Sequence, residues 1–129
     1  MPRPVCVYDA NVLYPAQLRD LLMRLTVDGL VRAHWSEQIH EEWIRNVLSN
    51  HPDVRRADLR RTRQLMERAL PDARVKGYEH RLPDLTLPDP DDRHVLAAAI
   101  EVDATYIVTF NLKDFPEDRP ALRYRSAAS

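Results

Sequence analysis

Near its N-terminus the chain contains a short apolar run, Val5-Cys6-Val7-Tyr8, in which no polar residue alternates with the apolar ones. A strand with one face in water shows such alternation, whereas a strand covered on both faces does not. The run therefore predicts a central strand of a parallel sheet. Asp9 follows directly, so we expect its side chain at the carboxyl end of this strand, where open α/β sheets place their ligands.

Strand-like and helix-like segments alternate along the rest of the chain. Further strands are predicted at residues 30–35, 75–78 and 106–108, helices at 18–25, from a Ser36 N-cap to 46 or beyond, at 53–69 and from about 91 to 102, and an extended linker at 82–87. This alternation predicts a single-domain α/β/α sandwich with a central, mainly parallel sheet. The domain is expected to span residues 1–118. The tail at 119–129 frays unless a final strand at 122–124 pairs at the sheet edge.

Composition restricts the class of protein. A length of 129 residues fits one domain, and 44% hydrophobic residues is ordinary for a globular fold. Because the lone Cys6 cannot form an intrachain disulfide, and no signal peptide or membrane-length apolar run is recognisable, we expect a cytoplasmic protein with no membrane partner. The formal net charge of -1 excludes a globally basic nucleic-acid binder.

Arginine is concentrated in the middle of the chain. The residues are Arg45, Arg55, Arg56, Arg60, Arg61, Arg63, Arg68 and Arg74. Such a run most simply indicates a solvent-exposed helix face. The alternative is a ridge that contacts phosphate groups, on a protein whose acidic residues are concentrated elsewhere.

Four acidic residues share one position in the predicted fold, the edge of the sheet at which strands end and helices begin. They are Asp9 after the first strand, Glu42 on the second helix, Asp92 in the first turn of an Ala-rich helix, and Asp114 after the last apolar strand. Carboxylates gathered there would raise one another's pKa unless a cation compensates, and oxygen ligands favour Mg²⁺ or Mn²⁺. The structural alternative is that Asp9 and Asp92 merely cap a turn and a helix, which leaves Glu42 without a role.

Four segments together resemble the PIN domain, the family that includes the VapC-type ribonuclease toxins. They are Val-Tyr-Asp9-Ala-Asn11-Val-Leu, the Glu41-Glu42-Trp43 helix, Asp89-Pro-Asp-Asp92-Arg-His-Val-Leu-Ala-Ala-Ala, and Ile-Val-Thr109-Phe-Asn111-Leu-Lys-Asp114-Phe. Each segment is weak alone, but the four occur in the family's order over residues 5–116. The resemblance implies a sheet-centred α/β fold and a metal-dependent endoribonuclease.

The resemblance also implies roles for individual residues. Carried over by position, the catalytic and metal-binding acids are Asp9, Glu42, Asp92 and Asp114, and the supporting polar residues are Asn11, Thr109 and Asn111. Asp89 and Asp91 compete with Asp92 for its position. Asn111 stands where some relatives have Asp, which could leave a second metal site weak.

The implied mechanism is hydrolysis of an RNA phosphodiester by water that Mg²⁺ or Mn²⁺ orients and activates, leaving 5′-phosphate and 3′-hydroxyl ends. Arg93 or the Arg-rich helix could contact flanking phosphates. His94 is interpreted as a surface or packing histidine rather than a general base, because the metal already activates water. Trp35 and Trp43 adjoin apolar stripes, so we predict them in the core or at an interface.

Partners are implied by the resemblance as well. Toxin-like members of the family pair with a small antitoxin protein that inserts a segment into the active cleft, and they often form homodimers. A non-catalytic module that retains the fold and binds RNA or a protein through its basic helix is the alternative, favoured by Asn111 and by the near-neutral charge. Metal-dependent cleavage of RNA distinguishes the two.

Overall fold

A computed structural model describes residues 3–111 and 125–126, and its centre is a four-stranded sheet. The strands are β1 (Val5–Tyr8), β2 (Arg32–His34), β3 (Tyr106–Thr109) and β4 (Arg125–Ser126). They lie in the order β2-β1-β3-β4, and each neighbouring pair is parallel. The predicted α/β fold with a parallel sheet is therefore confirmed.

Strand β1 lies inside the sheet, as its unalternating apolar sequence predicts. Cys6, Val7 and Tyr8 are all buried, because β2 and β3 flank the strand and helices pack over it. The register of β1 and β3 pairs Tyr8 with Val108. The residues that follow these two therefore leave the sheet side by side at the same edge.

Helices connect the strands. The α-helices in the described part of the chain are α1 (Ala10–Leu13), α2 (Ala16–Val27), α3 (Glu37–Asn50), α4 (Arg56–Ala69) and α5 (Arg93–Glu101), and 3-10 helices span Glu79–Asp84 and Pro90–Asp92. Helix α5 contacts both β1 and β3. Its small side chains, Ala97, Ala98 and Ala99, are fully buried, so the helix can approach the sheet closely.

Local sequence signals explain where α2 and α3 end or begin. The backbone N–H of Ile39 donates to the hydroxyl of Ser36 over 3.2 Å, which confirms Ser36 as the N-cap of α3. After α2, Gly29 adopts a positive φ of 81° and its N–H bonds to the carbonyl of Thr26, while Leu30 bonds back to Leu25. This pair of bonds is the Schellman arrangement, which glycine forms without steric cost.

The core contains both tryptophans. Trp35 and Trp43 have no exposed surface, which confirms their predicted place in the interior. Trp43 is accompanied by Ile39 and Val47 on the buried face of α3. Among the described helices, none combines the length and the apolar character needed to cross a lipid bilayer.

Two local predictions are wrong, and one short helix was not predicted. The predicted strand at 75–78 does not form: Trp35 pairs with Arg74 through a single bridge, and the turn at Gly77, with φ 76°, ends the extended backbone. The first half of the segment predicted as an extended linker, residues 82–84, belongs to the 3-10 helix Glu79–Asp84. Arg81 of this helix pairs with Glu101 of α5 over 2.8 Å. The one-turn helix α1 was not predicted, because four residues are too few to show a helical period.

At the C-terminal end, the edge strand β4 occupies Arg125–Ser126 and pairs with β3. The predicted edge strand at residues 122–124 lies outside the described residues, as does the proposed domain boundary after residue 118. Both stay predictions.

Candidate functional site at the carboxyl edge of the sheet

Asp9 lies at the carboxyl end of β1 and is 3% exposed. Its Oδ1 accepts a hydrogen bond from the backbone N–H of Ala10 over 2.7 Å, which caps α1. Its Oδ2 accepts one from the hydroxyl of Thr109 over 2.9 Å. Asp9 therefore caps a helix, as the structural alternative supposed, and also presents a buried carboxylate at the predicted edge.

Thr109, the last residue of β3, is fully buried and forms the centre of a hydrogen-bond network. Besides donating to Asp9, its hydroxyl accepts from Nδ2 of Asn11 over 3.1 Å and from the backbone N–H of Asn111 over 3.0 Å. Asn11 completes the network, since its Oδ1 accepts from the backbone N–H of Phe110 over 3.2 Å. The predicted supporting residues Asn11 and Thr109 thus contact each other, and Asn111 joins through its backbone.

Glu42 approaches the same edge from α3. Its side chain is 27% exposed, beside the fully buried Trp43, in agreement with its predicted place at the margin of the apolar stripe. Oε2 of Glu42 lies 3.3 Å from Nε2 of His94. The position of the Glu42 side chain is therefore restricted by a residue of α5.

The contact between His94 and Glu42 was not predicted from the sequence. His94 is 7% exposed, and within the described residues its Nδ1 has no hydrogen-bond partner. Its burial agrees with a packing histidine, but its pairing with Glu42 places it beside the predicted acids. The available signal was its position on the otherwise apolar, Ala-rich face of α5, two residues after Asp92.

Asp92 is the last residue of the 3-10 helix Pro90–Asp92 and directly precedes α5. It is 7% exposed, whereas its competitors Asp89 and Asp91 are exposed. Asp89 is also engaged in capping, because its Oδ1 accepts from the backbone N–H of Asp91 over 2.9 Å. Asp92 is therefore the buried one of the three acids, and its role in the site stays a prediction.

The charges at this edge influence one another. Burial is the main cause that raises the pKa of Asp9 above its ordinary value, and the negative charge of Glu42 raises it further. The hydrogen bonds from Thr109 and Ala10, and the proximity of His94, act in the opposite direction. Asp9, Glu42 and His94 thus form one electrostatic unit.

A cleft of about 360 Å³ opens beside Glu42 and His94. It is lined by Gln38, Glu41, Glu42, Arg45, Asp91 and His94. Its lining carries both negative and positive side chains, and its size admits a phosphate group with its hydration. The pairing of Glu42 with His94 lies in the wall of this cleft.

The oxygen donors at the edge suit a hard divalent cation better than zinc. A cation would also offset the burial and the repulsion that disfavour the charged form of Asp9. Within residues 3–111 and 125–126, however, no group of three or more His, Cys, Asp or Glu side chains is arranged to hold a metal ion. Asp114, the predicted fourth acid, lies outside the described residues. The metal and its ligand set stay predictions.

Arg93, the predicted phosphate contact, uses part of its guanidinium for the protein itself. Its Nε donates to the carbonyl of Pro90 over 3.0 Å, and Nη1 donates to that of Leu82 over 3.4 Å. A guanidinium has five N–H donors, so these two bonds leave others for a ligand. Contact with phosphate stays a prediction.

Comparison with known proteins agrees with this geometry. A family model described as the PIN domain matches residues 5–113. The fold is similar to a crystal structure of VapBC2 from Rickettsia felis bound to a DNA fragment from their promoter, with a TM-score of 0.64 and 14% identity over 95% of this chain and 98% of that one. No curated protein sequence matched the chain. Since the family model covers both strands that carry Asp9 and Thr109, and all of the sequence between them, the chain belongs to the PIN domain family.

Proposed function

We propose that this chain is a metal-dependent endoribonuclease that hydrolyses RNA phosphodiester bonds. The observation that carries the proposal is the buried carboxylate of Asp9, held by Thr109 at the carboxyl end of a parallel strand and within electrostatic reach of Glu42. Burial and the charge of Glu42 disfavour the ionised form of Asp9, and a bound divalent cation would offset both. Membership of the PIN domain family supports the same activity.

The proposed ligands of Mg²⁺ or Mn²⁺ are Asp9, Glu42 and Asp92, with Asp114 as the fourth acid. When bound, the ion would act as a Lewis acid that orients and activates water beside the scissile phosphate.

The chain's own residues would prepare the site. Thr109 and Asn11 fix the direction of the Asp9 carboxylate through their hydrogen bonds. His94 lies beside Glu42 in the wall of the cleft and restricts its carboxylate through their 3.3 Å contact. Arg93 would hold a phosphate next to the scissile one with the donors that its backbone contacts leave unused.

We further propose that the protein is the toxin of a toxin-antitoxin pair, with a small antitoxin as its partner, and that it forms a homodimer. The likeness in fold to VapBC2 supports the antitoxin partner, and the homodimer follows only from the resemblance of the sequence to toxin-like members of the family. The test is whether a small protein encoded next to this chain binds it and suppresses RNA cleavage.

One observation favours a second candidate, a PIN-fold module that binds RNA or protein without cleaving. Within the described residues, the acidic side chains do not form a ready metal-binding group. Such a module would bind RNA but show no response to Mg²⁺ or Mn²⁺.

The experiment compares the wild type with Asp9→Asn and with Asp53→Asn, a matched control at an exposed acid on the loop before α4. We expect Mn²⁺ to raise the melting temperature of the wild type and of Asp53→Asn and to support cleavage of RNA by both. When the free ligand is present at about a hundred times its dissociation constant, binding adds about 2.7 kcal/mol to the stability of the folded protein. The shift in melting temperature is therefore measurable. Asp9→Asn should lose both the shift and the cleavage. RNA binding with neither effect in the wild type would establish the non-catalytic module instead.

A further inference from the structure

A second cavity, of about 380 Å³, lies between α3 and α4. It is lined by Glu41, Ile44, Arg45, Arg56, Arg60 and Arg63. Four of these six residues are arginines, gathered from two helices. The arginine run of the sequence is therefore not spread evenly over an exposed surface, since part of it converges on one concavity.

Helical spacing selects these arginines from the rest of α4. Arg56, Arg60 and Arg63 stand four and three positions apart, so they lie along one face of the helix, the face toward α3. Arg61 and Arg68 are seven positions apart and do not line this cavity. The same helix thus carries two arginine sets with the same charge and different surroundings.

The arginines that line the cavity also differ in their ion pairs. Arg63 is held by Glu67 over 3.0 Å and by Glu37 over 3.8 Å. Arg45, Arg56 and Arg60 form no ion pair with any residue that the structure describes. Three such positive charges around one cavity repel one another unless an anion lies between them. One carboxylate, Glu41, also lines the cavity, at the side nearer the acidic edge of the sheet.

The arginine cavity adjoins the cleft beside Glu42 and His94. Glu41 and Arg45 belong to the lining of both. A chain that enters the cleft can therefore reach the arginine cavity by passing Glu41 and Arg45 on α3. Phosphates next to the scissile one would meet the positive charges of the arginines there.

We infer that this arginine cavity binds the phosphodiester backbone of RNA on one side of the bond that the proposed nuclease cleaves. The inference rests on the proposed function, because it treats the cavity as the neighbour of the cleft in which the proposed nuclease would cleave RNA. RNA is favoured over an acidic protein segment because its phosphates recur along the chain and would occupy the cleft and the arginine cavity at once.

The test compares two double variants, Arg56→Ala with Arg60→Ala and Arg61→Ala with Arg68→Ala. Each removes two positive charges from α4, so both change the long-range field equally, but only the first pair lines the cavity. Binding of a fluorescein-labelled, unstructured RNA of about a dozen nucleotides is measured by anisotropy in EDTA over a series of salt concentrations. EDTA removes the metal required by the proposed cleavage, so binding is measured independently of it.

We expect the cavity variant to lose about tenfold in affinity relative to the control variant. The slope of log affinity against log salt should fall by about 1.4 in the cavity variant, as expected for two phosphate contacts to a single strand. Equal losses in the two variants, or no binding of RNA by the wild type, would overturn the inference. Binding of a polyglutamate peptide in place of RNA would overturn it in favour of an acidic protein partner.

Failure of the proposed nuclease would look different. If the wild type cleaves no RNA with Mn²⁺ but binds it through the cavity arginines, the nuclease proposal fails and the arginine cavity stands. If RNA is cleaved and the two double variants bind it equally, the cavity fails and the nuclease stands.

Discussion

The hydroxyl of Thr109 donates to Oδ2 of Asp9 over 2.9 Å, and these two residues are 100 positions apart in the chain. The same hydroxyl accepts from Asn11 and from the backbone of Asn111. A threonine hydroxyl has one donor and two acceptor positions, so all of its hydrogen-bonding capacity is used. The direction of the buried carboxylate therefore depends on one side chain at the end of β3.

Thr109→Val should lower the free energy of unfolding by about 1–3 kcal/mol, because it keeps the shape but leaves three buried or half-buried polar groups without their partner. Urea denaturation measures the loss. Thr109→Ser retains the hydroxyl and should recover most of the stability. A valine variant as stable as the wild type would show that the network does not hold Asp9 in place.

The placement of Asp9 and Thr109 together was predictable from sequence, for a simple reason. Both follow short apolar runs, and parallel strands end at the same edge of a sheet. Their exact alignment depends on the register that pairs Tyr8 with Val108, and no local sequence pattern predicts this register. Long-range pairing of this kind is fixed by the packing of the whole sheet.

The stability of the metal-free protein should depend on pH through Asp9. Burial raises the folded pKa of Asp9 above its ordinary value of 3.8, so the folded state holds the proton more tightly than the unfolded state. Its contribution to stability is fully present below pH 3.8 and is lost as the pH rises through the folded pKa. We expect the wild type in EDTA to lose stability relative to Asp9→Asn as the pH rises through this range. Urea titrations of the two proteins measure it, and a difference that is independent of pH would contradict the prediction.

His40 should make the protein sensitive to acid. Burial lowers the pKa of His40 to about 3, and Arg63 and Arg74 add repulsion against its charged form. Its Nδ1 accepts from the indole N–H of Trp43 over 3.0 Å, so the ring is neutral in the folded protein. The stability from this neutral ring is fully present above pH 6.5 and is lost as the pH falls toward about 3, with a slope approaching about 1.4 kcal/mol per pH unit.

His40→Asn keeps an acceptor for Trp43 but does not titrate. Unfolding by urea across this pH range should therefore show a flatter acid limb for the variant than for the wild type. Parallel curves for the two proteins would assign the acid sensitivity to other groups.

His94→Ala should weaken binding of Mn²⁺ about tenfold, because residues that orient a ligand side chain typically contribute this much to affinity. The side chain removed lies 3.3 Å from Glu42. Calorimetric titration with Mn²⁺ measures the change without any cleavage assay. His80→Ala, at an exposed histidine of the 3-10 helix Glu79–Asp84, is the control. Equal affinity for Mn²⁺ in both variants would show that His94 has only a packing role.

His94 also illustrates where the sequence stops being informative. The Ala-rich pattern of α5 indicates a buried helix and hence a buried histidine, but not which residue of another helix it meets. That partner is Glu42, which lies 52 positions earlier in the chain and 3.3 Å from His94. The contact is determined by how α3 and α5 pack together. Similarly, the arginine run predicted an exposed basic helix, while the convergence of Arg45 with Arg56 and Arg60 depends on the fit of α3 against α4.

The distance in sequence between Asp9 and Thr109 has a consequence for the order of events during synthesis. At about 5–20 residues per second, about 5–20 s pass on the ribosome between the addition of these two residues. Throughout that interval Asp9 lacks the hydroxyl that orients it. A growing chain therefore cannot fix the carboxylate of Asp9 in its final direction until β3 has been made and has joined the sheet.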